Sequence, residues 1–439
     1  MKKLVVLLFI VIAINVDAQK PQPMTLSIQQ AVEIGLNKRY DTRYNKIDIA
    51  ISDNKIGERK KEWLPNIEVS SDIRYNTRLQ TTVLPKGFDA FGNGSNNITL
   101  GTKNQSSFYL DLTQPLYRPG LTTDIDIAKK EYALASEKNV EKETDIKLEI
   151  VQAYLNAIIK HEQVKFAVFA KERYRSYLKI ARAKNKLGVS IENDLLKAEL
   201  DYKNAEFSLL ELQNNYKLAT SQLKFNINIS DEKELILADS IGSSKVDSLQ
   251  LVSNLPIDRT ELRQLKIEGD INSLKLQKAK LYAYPTVSFY ANYTSLFQSD
   301  NFNYLQNEFW NPYNSIGVKL SIPITGNIKN QHVIKESKFK IEQDHLKLLH
   351  REAELTNEKN MSMTELKNSF LSLHSAKDNL ELSRKIFKIQ LKNYALGTIA
   401  YTAALETETS LRTAEENYFK AIYNYLLSTL NYQKAVGKL

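Results

Sequence analysis

The groups that most often carry chemistry are sparse in this chain. There is no cysteine, hence no thiol nucleophile, disulfide or thiolate ligand. Of the five histidines, His345 and His350 are five apart and share a helix face poorly, while His161, His332 and His374 stand alone. No HExxH, GxSxG, Gly-rich phosphate loop or paired-carboxylate pocket occurs, so the sequence predicts no enzyme, no metal site and no cofactor. Its charge is instead spread as 60 basic and 51 acidic residues, net +9, with both signs interleaved along helical stretches. That pattern reads as solvated helix surface rather than a nucleic-acid footprint.

The chain opens with a predicted secretory signal peptide over residues 1–18. Lys2 and Lys3 precede the apolar run Leu4–Ile14, and Val16-Asp17-Ala18 supplies a small-residue cleavage site. The apolar run is too short for the roughly 20 residues of a membrane-spanning helix. No later stretch reaches that length, so any insertion into lipid has to use strands.

The elements that position the charged groups are long helices. From about 121 to 187 neither proline nor glycine interrupts the pattern, and at ~1.5 Å per residue this predicts a rod of roughly 100 Å. After Gly397, Ala404, Thr407, Leu411, Ala414, Tyr418, Ala421, Tyr425, Ser428, Tyr432 and Ala435 recur at alternating steps of three and four, the seam of a coiled coil. The same pattern follows Gly188, 209 residues earlier, with identities at Leu187/Leu396, Gly188/Gly397, Glu199/Glu408, Ala205/Ala414, Glu206/Glu415 and Tyr216/Tyr425. The expectation is an internal tandem duplication. The first repeat covers 19–229, with strands near 66–76 and 106–114 and helices 121–187 and 189–229. The second covers 258–439, with strands near 286–297 and 313–322 and helices 329–396 and 398–437. A polar linker, 230–257, joins them, and 77–105 and 298–312 read as loops.

The four strands alternate apolar and polar residues: Ile67, Val69, Ile73 and Tyr75 oppose Glu68, Ser70, Asp72 and Arg74, and Ile316, Val318 and Leu320 oppose Ser315, Gly317 and Lys319. Four strands of about ten residues suit a bilayer in length but cannot close a barrel, so several chains have to share one; three copies give twelve strands. Phe297, Phe302, Phe309, Trp310 and Tyr313 read as aromatics near the outer rim or capping it.

The chain resembles the TolC family of outer-membrane efflux proteins over nearly its whole mature length. The resemblance rests on Leu26-Ser27-Ile28-Gln29-Gln30-Ala31, on Gln114-Pro115-Leu116 and Ile322-Pro323-Ile324, and on two turn motifs. These are Leu187-Gly188-Val189 with Asp194-Leu195-Leu196, and Tyr394-Ala395-Leu396-Gly397-Thr398. It implies a mainly α fold with membrane β: a homotrimer with one twelve-stranded outer-membrane barrel, four strands per chain, continued by a long periplasmic α-helical barrel. It further implies an exit duct for a tripartite efflux or type I secretion system. The implied partners are a periplasmic adaptor and an inner-membrane transporter of RND, ABC or MFS type. The alternative is a periplasmic coiled-coil scaffold that never enters lipid.

By the same resemblance Leu187, Gly188, Val189, Leu396, Gly397 and Thr398 lie at the periplasmic tip, where the adaptor docks. Tyr394 and Asp194 match a tyrosine–aspartate pair that links neighbouring helix pairs in a closed entrance, and Glu406 matches a pore-entrance carboxylate. The accompanying arginine falls at Ile399 and a second carboxylate at Ala403, so part of the family lock is missing. Asp194 also suits the first turn of a helix, where acidic side chains favour the dipole, and Glu406 suits a solvated helix face.

Overall fold

Capping and turn chemistry set the ends of the helices. The computed structural model describes residues 24–85, 97–239 and 257–439, so the signal peptide over 1–18 and most of the linker 230–257 lie outside the described residues. In chain order the elements are β1 (Met24–Leu26), α1 (Ile28–Lys38), α2 (Tyr40–Lys61), β2 (Asn66–Tyr75), β3 (Gln80–Val83), β4 (Asn97–Leu100) and β5 (Asn104–Tyr117). Then come α3 (Leu121–Lys186), α4 (Glu192–Asn226), β6 (Leu235–Leu237), α5 (Thr260–Leu281), β7 (Thr286–Ser299), β8 (Trp310–Ser321), α6 (Gly326–Leu396) and α7 (Tyr401–Ala435). The chain divides into two units. One comprises 1–45, 140–260 and 353–439; the other comprises 46–139 and 261–352.

In the first unit, Ser27 starts α1 through a capping box: its Oγ accepts from Gln30 N–H at 3.3 Å, and Gln30 Oε1 accepts from Ser27 N–H at 3.0 Å. The apolar face of α1 then packs Ala31 beside Ile146, Ile150, Tyr154, Leu223 and Ile227. Gly35 is buried in this contact, where a Cβ would run into Ile150. Beside it β1 pairs in parallel with β6. The Tyr154 hydroxyl locks the pair, within 2.8 Å of both the Leu26 carbonyl and Asp239 Oδ2. This small sheet corrects the reading of 230–257 as linker alone: Leu235-Ile236-Leu237 is a strand too short to display alternation.

The coiled-coil face of α7 is broader than one seam. Ala404, Leu411, Ala414, Ala421, Tyr425, Tyr432 and Ala435 are buried, while Thr407, Tyr418 and Ser428 are half-buried. Glu408, Glu415, Phe419, Ile422 and Thr429 are buried beside them. A face this wide fits a helix flanked by two neighbours, and α7 packs against both α3 and α6 through Ile159, Leu366, Leu373 and Phe419.

In the second unit the sheet order is β2-β5-β7-β8, antiparallel throughout. The register aligns Ile67, Leu112, Ala291 and Ile316 in one row, and Val69, Leu110 and Tyr293 in the next, on a single apolar face. The alternate row Glu68, Asp111, Asn292 and Ser315 is polar, as a period of two requires. On that polar face the Tyr290 ring lies over Gly317, leaving no room for a Cβ there.

Two strands run past the bounds of 106–114 and 313–322 expected from the sequence and take in a proline each. β5 continues to Tyr117 across an irregularity at Pro115/Tyr117, and β8 begins at Trp310 ahead of Pro312. A bulge and an outer strand are the two places where a residue without an N–H is tolerated. The segment 77–105 is also more than loop, because β3 and β4 form a ribbon within it; residues 86–96 lie outside the described residues.

Candidate functional site

The α3–α4 and α6–α7 turns are built alike. Gly188 and Gly397 adopt left-handed backbone at φ +71° and +81°. Gly188 N–H donates to Asn185 O and Val189 N–H to Lys184 O, both at 3.0 Å. Gly397 N–H donates to Tyr394 O and Thr398 N–H to Asn393 O, both at 3.1 Å. Each is a Schellman stop, in which glycine supplies the one conformation that lets the last carbonyls find donors. Thr398 Oγ1 adds a bond to Asn393 O at 3.0 Å. Leu187, Val189, Ile191 and Leu396 are exposed around the two turns, an unusual concentration of apolar side chains in solvent.

Behind the turns three tyrosines form a buried triangle. Tyr177 of α3, Tyr394 of α6 and Tyr401 of α7 have ring centroids 5.7, 5.7 and 6.0 Å apart. Tilted and edge-on contacts of this kind are favourable for aromatic quadrupoles. The hydroxyl of Tyr177 donates to Ala404 O at 3.3 Å. Lys184 of α3 places Nζ 4.1 Å from the centre of the Tyr394 ring and donates to the Tyr394 carbonyl at 2.6 Å. Burial pulls the Lys184 ammonium below its ordinary range, and the nearby Asp194 charge opposes that.

Asp194 sits half-buried in the first turn of α4, lining the same open cleft as Lys184, Tyr394 and Tyr401. Within this chain no hydrogen bond joins it to Tyr394 among the described residues. Burial raises the Tyr394 hydroxyl pKa, and the Asp194 charge raises it further. Close to the two turns, a tyrosine–aspartate bond is made instead by Tyr401 Oη, which donates to Asp201 Oδ2 at 2.7 Å and joins α7 to α4. Glu406 lies on the exposed side of α7, its carbonyl accepting from Ser410 Oγ at 2.9 Å. Ile399, at the arginine position of the resemblance, packs with the tyrosine cluster.

Further along the helices, Arg173 of α3 forks between two carboxylates of α7. Its Nε lies 2.9 Å from both Glu408 oxygens and its Nη2 lies 3.0 Å from Glu415 Oε2. Glu408 is fully buried, and burial pushes its carboxyl up to about 7 despite the guanidinium. At the positions 209 residues earlier stand surface pairs, Glu199 with Arg182 and Glu206 with Lys171, each at 2.9 Å. Lys184, Tyr401–Asp201 and Arg173 thus tie one hairpin to the other within the same chain. None of them belongs to a matched motif, although the seven-residue step from Glu408 to Glu415 inside an otherwise apolar stripe was a readable signal. Among the described residues, no cluster of His, Asp or Glu could hold a metal ion.

Paired glycine turns, an alternating four-strand sheet and helices of 66 and 71 residues are a distinctive set. A family model described as outer membrane efflux protein matches residues 36–228. Outer membrane protein TolC of Escherichia coli strain K12 is 23% identical over 402 residues, covering 88% of this chain and 77% of that one. The chain is thus similar to TolC and other outer membrane efflux proteins over most of its length. The alkaline protease secretion protein AprF of Pseudomonas aeruginosa is 19% identical over 322 residues, 72% of this chain. The match spans just under two thirds of AprF, 66% of its length. The Campylobacter jejuni CmeC outer membrane channel shares the fold with a TM-score of 0.72 at 14% identity, covering 94% of this chain and 85% of that one. The family is one of transport channels rather than enzymes, and the protein resides in the outer membrane with a large periplasmic helical part.

Proposed function

We propose that three copies of this chain form one exit duct across the outer membrane. The observation that carries the reading is a four-stranded sheet with one apolar face and two outer strands, β2 and β8, that pair on one side only among the described residues. Unpaired strand edges in lipid cost several kcal/mol per group, and joining β8 of one copy to β2 of the next removes them. Strands of 10 to 14 residues suit a tilted transmembrane barrel. None of the described helices is long and apolar enough to cross a membrane, which leaves the sheet as the membrane element.

The helices support the same assembly. Leu200, Phe207, Leu218 and Phe225 are exposed along α4, and Leu371, Leu382, Ile389 and Leu396 along α6. A neighbouring copy that covers both rows closes a helical tunnel. The matched turn motifs and the recurring order of elements in 40–226 and 260–435 support an origin by tandem duplication. The apolar tips at Leu187, Val189 and Leu396, with Gly188, Gly397 and Thr398, then dock a periplasmic adaptor. An inner-membrane transporter of a tripartite efflux or type I secretion system feeds the duct. Asp194 and Tyr394 face the entrance and restrain it, and Glu406 contributes one carboxylate per copy to its wall.

Native mass spectrometry of protein extracted from outer membranes tests the assembly. Three copies per particle support the shared barrel. A monodisperse single copy, or protein found only in the soluble periplasmic fraction, overturns it in favour of a scaffold that stays out of lipid.

A further inference from the structure

The segment between β7 and β8 is held against the apolar face of the sheet. Register places Ile73, Ser106, Phe297 and Trp310 in one row, on the same face as Val69, Leu110 and Tyr293. Most large apolar side chains of that face are exposed, yet Phe297 is fully buried. Tyr304 stacks on it with centroids 4.2 Å apart, and Trp310 and Phe309 close around it at 5.4 and 6.3 Å. The Tyr304 hydroxyl lies 3.2 Å from Ser106 Oγ, and its carbonyl accepts from Trp310 Nε1 at 2.9 Å. Asp300 pins the start of the segment: its Oδ1 accepts from Lys103 N–H at 3.0 Å, and its carbonyl accepts from Asn104 Nδ2 at 3.2 Å.

A segment fastened this firmly nevertheless leaves two of its largest apolar side chains in solvent, Phe302 at 80% and Leu305 at 100% exposure. From Asn301 to Phe309 its only charged residue is Glu308. We propose that residues 300–310 are a lipid anchor, which extends the membrane-facing surface beyond the strand ends and inserts Phe302 and Leu305 into the outer leaflet. The assignment rests on the barrel reading, because the face that carries Phe297 is the one that meets lipid when three sheets close. A lumen cap would instead lie over the opposite face, where Glu68, Asp72 and Asp111 project. Transfer of a Phe or Leu side chain from water to hydrocarbon is favourable and scales with the area removed from water. The aromatic rings behind the two side chains suit the interfacial depth between acyl chains and headgroups.

The absence of cysteine makes the test direct. Single cysteines at Phe302→Cys and Leu305→Cys, with Val318→Cys on the apolar face of β8 as reference and Ser315→Cys on the polar face, are labelled with a nitroxide in the full-length protein. After reconstitution, collision with oxygen is compared with collision with a water-soluble nickel complex. The anchor predicts that labels at 302 and 305 favour oxygen as the label at 318 does, with the label at 315 favouring nickel. Labels at 302 and 305 that favour nickel while 318 favours oxygen overturn the anchor and leave the barrel standing. Labels at 302 and 305 shielded from both probes place a neighbouring copy over the segment and also overturn it. A label at 318 that itself favours nickel removes the barrel reading and the anchor together.

Discussion

Tyr401 Oη donates to Asp201 Oδ2 at 2.7 Å, while the hydroxyl of Tyr394, one helical hairpin turn away, makes no such bond to Asp194 within the chain. The tyrosine hydroxyl that ties the hairpins therefore lies four residues after Gly397 rather than three before it. Tyr401→Phe keeps the ring in the aromatic triangle and removes only the bond. A hydrogen bond to a charged partner contributes about 1.5–3 kcal/mol, enough to shift a restrained entrance toward open. Single-channel recordings of Tyr401→Phe are expected to show larger conductance than wild type, and Tyr394→Phe a smaller increase. Equal recordings for Tyr401→Phe and wild type remove Tyr401 from the restraint.

Lys184 reaches Tyr394 through a backbone carbonyl and its ring face, so the side-chain hydroxyl is not what it holds. Lys184→Met keeps the length of the stem and removes the donor and the charge. Its conductance is expected to rise above that of Tyr394→Phe, and hydrogen exchange around Asn393–Thr398 to quicken. Unchanged exchange there counts against the tie.

Arg173 serves two buried carboxylates, and removing it strands both. Arg173→Ala is expected to destabilise the helical unit by about 3–5 kcal/mol, the range for breaking a buried ion pair from one side. The triple replacement Arg173→Met, Glu408→Leu, Glu415→Leu removes all three charges of this cluster and is expected to recover most or all of that loss. Thermal unfolding followed by helical circular dichroism makes the comparison. A triple variant as unstable as Arg173→Ala contradicts the account.

The raised carboxyl of Glu408 sets a pH window. Unfolded, it ionises near the ordinary 4.5, whereas burial holds it protonated in the fold up to about 7. Below pH 4.5 both states carry the proton and Glu408 costs nothing. As pH rises through about 7 its charge has to be accommodated beside Arg173, Arg412 and the Glu415 carboxylate, and stability is lost on the order of a few kcal/mol. Glu408→Gln is expected to flatten the stability profile between pH 5 and 8 by that amount. A variant that retains the wild-type slope assigns the slope to other groups.

Left-handed glycines here differ in what surrounds them. A Cβ at Gly188 or Gly397 meets nothing within 4 Å, whereas at Gly437, also left-handed at φ +77°, it would collide with the Asp258 backbone. Gly188→Ala and Gly397→Ala are each expected to cost about 1–2 kcal/mol of conformational strain. Gly437→Ala adds a backbone clash and is expected to cost more, read as a lower midpoint of thermal unfolding. Equal midpoints for Gly188→Ala and Gly437→Ala contradict the contact at Asp258.

Much of this fold is legible in the sequence because the long elements repeat their period many times. Alternation over Val287, Phe289, Ala291 and Tyr293 marks β7, and sixty-odd residues without Gly or Pro mark α3. Short elements do not repeat long enough to be seen, which hides β1–β6, and β3–β4 lies in Thr- and Asn-rich sequence that also suits a loop. At the two helix turns, sequence motifs point to Gly188 and Gly397 because only a few residue types satisfy φ above zero. Tyr401–Asp201 and Arg173–Glu408 escape such reading because the partners are 200 and 235 residues apart, and packing alone brings them together.

Whether this chain builds a conducting duct is read by single-channel recording of the purified protein in planar bilayers. Trimers are expected to give discrete, steady openings of small conductance, because the hairpin ties narrow the proposed entrance. Folded trimers that insert into the bilayer and carry no current, in wild type and in Tyr401→Phe alike, contradict the duct.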